Sequence, residues 1–167
     1  MKENTCCFIG HRKIDDTPEL RERLNNIIEK LIKNENTYIF MFGSKSAFDA
    51  LCLELVTKAK EKHPQIQRIY VRAEYPYISD SYKAYLLKSY DGTYYPERML
   101  RAGRAAYVER NRELIDNSRV CIFHYSPDSE PQSRKSGTRI AYEYATKMNK
   151  EIVNTAETAH FLHMLHK

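Results

Sequence analysis

The chain has 167 residues, of which 42% are hydrophobic and 29% are charged, and its formal net charge is +5 at pH 7. This length suits one domain with a single core, and the composition excludes an intrinsically disordered chain. No apolar run approaches the ~18 residues of a membrane-spanning helix, and the early run at residues 6–9 is too short for a signal peptide. We therefore expect a cytoplasmic protein with no membrane partner.

Short apolar runs alternate with helical patterns in the first half of the chain. Residues 5–9 (TCCFI) and 38–42 (YIFMF) are predicted buried strands, each followed by a glycine, and residues 69–71 form a third. Apolar residues at helical spacing predict one helix after Thr17 and Pro18 and a second from Phe48 onwards.

A tyrosine-rich segment then interrupts this rhythm at about residues 74–105. We predict that it is an insertion, with a helix near residues 80–89 and turns at Asp91-Gly92 and Pro96. Regular elements follow: a helix at 107–115, a strand at 120–124 (VCIFH), a polar loop at 126–136, a helix over 140–148, a strand at 152–153 and a terminal helix at 158–166.

Apolar strands that alternate with helices predict a mostly parallel sheet covered on both faces. We predict an α/β fold, a Rossmann-like three-layer α/β/α sandwich with a five-stranded sheet, formed by a single domain over residues 1–167. The four cysteines contain no CxxC pair and are predicted to be buried free thiols.

Three histidines near the end of the chain, His160, His163 and His166, are spaced three residues apart. On a helix, this spacing rotates successive side chains by about 60°, so they share a face only in part. We predict no metal site, and no cofactor is expected.

Ligands of parallel sheets bind beyond the carboxyl ends of the strands, where helix N-termini offer free N–H groups to anions. Three predicted turns of this kind contain glycine. In the first, Arg12 is either a phosphate ligand or a surface arginine. The second (FGSKSAFD, residues 42–49) lacks the GxxxxGK spacing of a Walker loop. The third follows a polar loop in which Arg134 and Lys135 could reach an anion.

Two polar residues have more than one interpretation. Asp49 either complements the dipole of its helix or acts on a ribose, and Arg110, beside Asn111, needs a partner because it lies among apolar residues. That partner is either a ligand or a backbone carbonyl or salt bridge of the protein itself. Tyr77, Tyr82 or Tyr94 could stack on a base, or could fill a satellite core or a dimer contact.

Four motifs in order resemble the YpsA-like branch of the SLOG superfamily, which also includes the LOG phosphoribohydrolases and the Rossmann-like domain of DprA. They are CCFIGHR, FGSKSAFD, YVERNRELIDNSRVCIF and SGTRIAYEYA, and the resemblance spans about residues 6–153. It implies a nucleotide pocket formed by Gly10, His11, Arg12, Gly43, Ser44, Phe48, Asp49, Arg110, Asn111, Ser136, Gly137 and Thr138.

The chain departs from the LOG enzymes at their catalytic glutamate. Ile140 or Ala141 stands where that acid belongs, and the nearest acid, Glu143, is displaced. The departure argues against LOG-type chemistry and leaves Asp49 and Glu143 as the candidate acids for any other hydrolysis.

These patterns predict a protein that binds a nucleotide or a nucleotide-derived small molecule, as a sensor or a sequestering protein. The alternatives are an N-glycosidic hydrolase or transferase that acts on a nucleotide and, second, a binder of single-stranded nucleic acid. We also expect a homodimer, by analogy with the LOG proteins and from the apolar face of the terminal helix (Phe161, Leu162 and Leu165).

Overall fold

The computed structural model of the protein describes residues 2–156. Within them, six strands and five α-helices alternate along the chain. They are β1 (Thr5–Gly10), α1 (Pro18–Glu35), β2 (Ile39–Phe42), α2 (Ala47–Lys62), β3 (Gln67–Val71), α3 (Asp80–Leu86), β4 (Gly92–Tyr94), α4 (Ala106–Asp116), β5 (Val120–His124), α5 (Gly137–Lys147) and β6 (Glu151–Asn154). The predicted terminal helix, with its three histidines and its apolar face, lies outside the described residues.

The strands form one parallel sheet in the order β4-β3-β2-β1-β5-β6. Alternate residues of β1 point to opposite faces: Phe8 packs in the core beneath α1 and α2, and Ile9 packs in the core beneath α4 and α5. This arrangement confirms the predicted Rossmann-like α/β sandwich. The four cysteines are buried free thiols, two in each core.

The predicted count of five strands is wrong, because β4 adds a sixth at the edge of the sheet. It begins at Gly92, where the sequence predicts a turn, and has only three residues. Asp91 fixes its start by accepting hydrogen bonds from the Arg68 backbone N–H at 2.8 Å and from Lys60 at 3.0 Å. The strand was missed because GTY contains no apolar run.

Side-chain caps set the starts of the long helices. Thr17 Oγ1 accepts the Leu20 N–H at 3.1 Å, and Pro18 occupies the first helical position of α1, as predicted. Serine caps α2 and α5 in the same way, at Ser46 and Ser136.

The sheet has a topological switch between β1 and β5. The helix after β1 lies on one face, whereas the helix after β5 lies on the other. A crevice opens at the carboxyl ends of parallel strands where their connections diverge in this way.

Among the described residues, none of the helices is both long and apolar enough to cross a membrane. Residues 2–156 also contain no cluster of three or more histidines, cysteines and acidic residues that could hold a metal ion.

Candidate ligand-binding cavity at the carboxyl edge of the sheet

A cavity of about 970 Å³ lies at this switch point, between the turns that follow β1, β2 and β3 and the start of α5. It brings together eleven of the twelve predicted site residues: Gly10, His11, Arg12, Gly43, Ser44, Asp49, Arg110, Asn111, Ser136, Gly137 and Thr138. Four separate parts of the sequence therefore meet in one place: the turns after β1 and β2, the middle of α4 and the start of α5.

Phe48 is the predicted site residue that does not line the cavity. Its ring is fully buried and packs against the rings of Phe8 and His124, at centroid distances of 6.5 and 5.5 Å. A Cβ atom on Gly10 would lie 2.4 Å from the Phe48 ring. Gly10 is thus required for packing behind the turn, and Phe48 supports the cavity from the core.

His11 and Arg12 tie the turn after β1 to its neighbours. His11 Nε2 accepts the Ser126 N–H at 3.0 Å, which joins this turn to the loop after β5. The Arg12 carbonyl accepts the Ala47 N–H of α2 at 2.9 Å. The Arg12 side chain is exposed and has no hydrogen bond or ion pair within residues 2–156, so it is available to a ligand.

Asp49 organises the turn after β2. Its Oδ2 accepts the N–H groups of Gly43 at 3.3 Å and Ser44 at 3.0 Å, and its Oδ1 accepts the Ser46 hydroxyl at 3.3 Å. Burial raises the pKa of Asp49, although these hydrogen bonds and the nearby Arg110 oppose the rise. Both carboxylate oxygens are engaged by the protein, which favours the structural interpretation over catalysis.

Arg110 is also held by this turn. The side chain is 6% exposed, its Nη1 donates to the Gly43 carbonyl, and its Nε donates to Asn111 Oδ1 at 3.0 Å. Burial lowers the pKa of Arg110, an effect that the charge of Asp49 opposes. A Cβ atom on Gly43 would lie 2.4 Å from Arg110 Cδ, so glycine makes this contact geometrically feasible. The backbone carbonyl is therefore the partner that this buried arginine needs.

The start of α5 offers unused donors to the cavity. Gly137 and Thr138 occupy its first two positions, and their N–H groups have no acceptor within residues 2–156. The cap residue Ser136 is engaged, since its N–H donates to Glu130 Oε2 at 3.1 Å. A Cβ atom on Gly137 would meet nothing within 4 Å, so an anion could approach the helix closely here.

The cavity wall is strongly positive. Among the described residues that line it, seven are lysine or arginine and only two, Asp49 and Glu74, are acidic. Lys135 is paired with Glu143 at 2.9 Å, and Arg72 donates to Thr93 Oγ1 at 3.1 Å. In the part of the chain that the structure describes, four of the cations have no hydrogen bond or ion pair: Arg12, Lys13, Lys45 and Arg134. Such a cleft attracts anions.

Four tyrosines also line the cavity, one each from β3, the turn after β3, α3 and α4. They are Tyr70, Tyr75, Tyr82 and Tyr107. Of the three candidates from the sequence, Tyr82 lies on the wall, whereas Tyr77 is 92% exposed elsewhere and the Tyr94 hydroxyl donates to Glu113.

The turn after β3, which supplies Arg72 and Glu74, is part of the cavity wall that the sequence patterns did not predict. This turn contains no glycine, whereas each of the three turns predicted to bind a ligand does. The position of these residues directly after a predicted strand could have identified them.

Glu143 is not brought to the cavity. It is exposed on α5 and accepts hydrogen bonds from Lys135 Nζ at 2.9 Å and Arg139 Nε at 3.1 Å. The helix that would carry the acid of a LOG enzyme therefore presents no carboxylate to this cavity.

Comparisons with known proteins leave the function to be inferred from the cavity itself. No protein-family model matches the chain, and no curated protein is similar to it in sequence.

Proposed function

We propose that this protein binds a nucleotide or a nucleotide-derived small molecule at the carboxyl edge of its sheet, as a sensor or a sequestering protein. One observation carries the proposal: a single cavity combines cations that have no hydrogen bond or ion pair to any residue of 2–156 with a group of tyrosines. Cations bind the phosphates of a nucleotide, and tyrosine rings stack on its base. The volume of about 970 Å³ lies within the usual range for small-molecule sites.

The strand order gives the ligand a direction. The turn after β1 and the start of α5 lie towards one end of the cavity, and the turn after β3 lies towards the other. We assign the phosphate to the first end, where Arg12, Arg134 and the free N–H groups of Gly137 and Thr138 can bind it. We assign the base to the tyrosines beside β3.

Membership in the YpsA-like branch of the SLOG superfamily belongs to the same proposal. The four motifs of that resemblance contain all eleven of the predicted site residues that line the cavity. A homodimer is proposed as well, by analogy with the LOG proteins.

A thermal-shift screen with nucleoside mono-, di- and triphosphates, dinucleotides, ADP-ribose derivatives and cyclic nucleotides tests the proposal. A ligand at 100 times its Kd should stabilise the fold by about 2.7 kcal/mol. Arg12→Ala should weaken binding by about 10-fold or more, because it removes a charged hydrogen-bond donor. Arg104→Ala is the matched control, since Arg104 is exposed and does not line the cavity. A wild-type protein that no member of the panel stabilises would refute the proposal.

N-glycosidic hydrolysis is the second candidate. It needs a carboxylate near an oxocarbenium-like ribose, and both oxygens of Asp49 are already hydrogen-bonded. Chromatography of nucleotides incubated with the protein should therefore detect no free base. Release that is lost in Asp49→Asn, while the variant still folds and binds, would instead make Asp49 catalytic.

A further inference from the structure

Glu74 is an acidic side chain on the wall of a strongly positive cavity. It is exposed, whereas Asp49, the other acidic residue of the wall, is 3% exposed and engaged in the turn after β2. A carboxylate repels phosphate and accepts hydrogen bonds. The part of a ligand next to Glu74 must therefore carry donors.

One hydrogen bond orients this carboxylate. The Tyr107 hydroxyl donates to Glu74 Oε1 at 2.9 Å. Within residues 2–156 the Glu74 side chain has no other hydrogen bond or ion pair, so Oε2 is free and Oε1, which has a second lone pair, can accept one more hydrogen bond.

Glu74 lies at the end of the cavity to which we assign the base. It belongs to the same turn as Tyr75, one of the tyrosines of the wall. Its partner Tyr107 also faces a cation of the wall, because the Arg110 guanidinium lies 5.5 Å from the centre of the Tyr107 ring. The carboxylate thus lies beside the proposed base site, and the ribose is the part of a nucleotide that adjoins the base and carries hydroxyl donors.

We propose that Glu74 accepts hydrogen bonds from the 2′- and 3′-hydroxyls of a ribose, so that the site selects ribonucleotides over 2′-deoxyribonucleotides. This inference rests on the proposed nucleotide-binding function. A vicinal diol presents two donors side by side, and a carboxylate presents two acceptors in the same way. Acidic residues recognise ribose by this geometry at the strand ends of dinucleotide-binding sheets.

The test is a calorimetric titration of the wild type and Glu74→Ala with the ribo and 2′-deoxy forms of ADP, GDP, CDP and UDP. The wild type should bind the ribo form of its preferred pair about 10-fold more tightly or better, the loss expected for one hydrogen bond to a charged group. In Glu74→Ala the two forms should bind within about 2-fold of each other. Truncation of this exposed side chain leaves the core unchanged, and Glu97→Ala, an exposed acid outside the cavity, should keep the wild-type ratio.

Other results would overturn either the ribose proposal or the proposed function. Equal binding of ribo and deoxy forms by the wild type, or a ratio that persists in Glu74→Ala, overturns the ribose proposal and leaves nucleotide binding intact. A comparison of ADP with IDP tests whether Glu74 instead accepts a hydrogen bond from the amino group of the base. If Glu74→Ala removes only the preference for ADP over IDP, the carboxylate contacts the base, and the ribose assignment is wrong. If the wild type binds neither these diphosphates nor any member of the thermal-shift panel, the proposed function falls together with the ribose proposal.

Discussion

Asp49 and Arg110 hold the turn after β2 from two sides. The carboxylate accepts the N–H of Ser44 at 3.0 Å, and the guanidinium donates to the carbonyl of Gly43. The sequence left both residues with two interpretations each, because a buried acid or base in a turn can serve a ligand or the backbone. Only the burial and the hydrogen bonds of the folded chain distinguish these roles.

Two glycines of the cavity should respond differently to the same substitution. Gly43→Ala should lower the free energy of unfolding by about 1–3 kcal/mol, because the new methyl group overlaps Arg110 Cδ, which the Gly43 carbonyl itself holds in place. Gly137→Ala is the matched control: its methyl group enters open space, and alanine favours a helix by up to about 1 kcal/mol. Urea denaturation measures both. Equal losses in the two variants would mean that the close approach at Gly43 is unimportant.

At the scale of elements, the edge strand β4 depends on one acidic residue. Asp91 accepts hydrogen bonds from the backbone and the side chain of Arg68 in β3, and from Lys60 in α2. Burial alone would raise the pKa of Asp91, but these hydrogen bonds outweigh it and lower the pKa to about 2. A carboxylate with a lowered pKa stabilises the fold above its unfolded pKa of about 3.9, and this stabilisation is lost as the pH falls towards 2.

Asp91→Asn should therefore cost about 2 kcal/mol of stability near neutral pH and should flatten the decline in stability between pH 4 and pH 2. Denaturation midpoints measured across that pH range provide the test. Asp128→Asn, at an exposed position in the loop after β5, is the control and should follow the wild type. If Asp91→Asn and the wild type lose stability in parallel, the ion pairs do not anchor β4.

The sequence predicts those elements that show a clear apolar pattern, either a run of consecutive apolar residues or apolar residues at helical spacing. Strands β1, β2 and β5 are apolar runs, and the caps Thr17 and Ser46 precede clear helical patterns. Strand β4 was not predictable in this way, because its three residues contain no apolar run, and Asp91, which ties its start to β3, is a turn residue in sequence. The turn after β3, which supplies Glu74, was not predicted as part of the site because it contains no glycine.

At the scale of the whole molecule, the tyrosine-rich insertion presents apolar side chains on its outer side. Tyr77 is 92% exposed, Leu100 is 66% exposed and Tyr85 is 65% exposed. An exposed apolar surface marks an interaction site where its side chains form one contiguous patch, and a two-fold pairing is the commonest arrangement for a self-complementary surface. Light scattering over a dilution series should give about twice the chain mass of 19.7 kDa. A mass that stays at one chain at high concentration would refute the dimer.

Hydrogen–deuterium exchange with the nucleotide panel tests the central claim, that one cavity binds a nucleotide between the start of α5 and the turn after β3. Saturating ligand should slow exchange at both ends, at Gly137 and Thr138 and at residues 72–75, because bound amides open less often. Residues 58–62, at the far end of α2, should keep their rates and act as the internal reference. Unchanged exchange at both ends with every nucleotide of the panel would contradict the account.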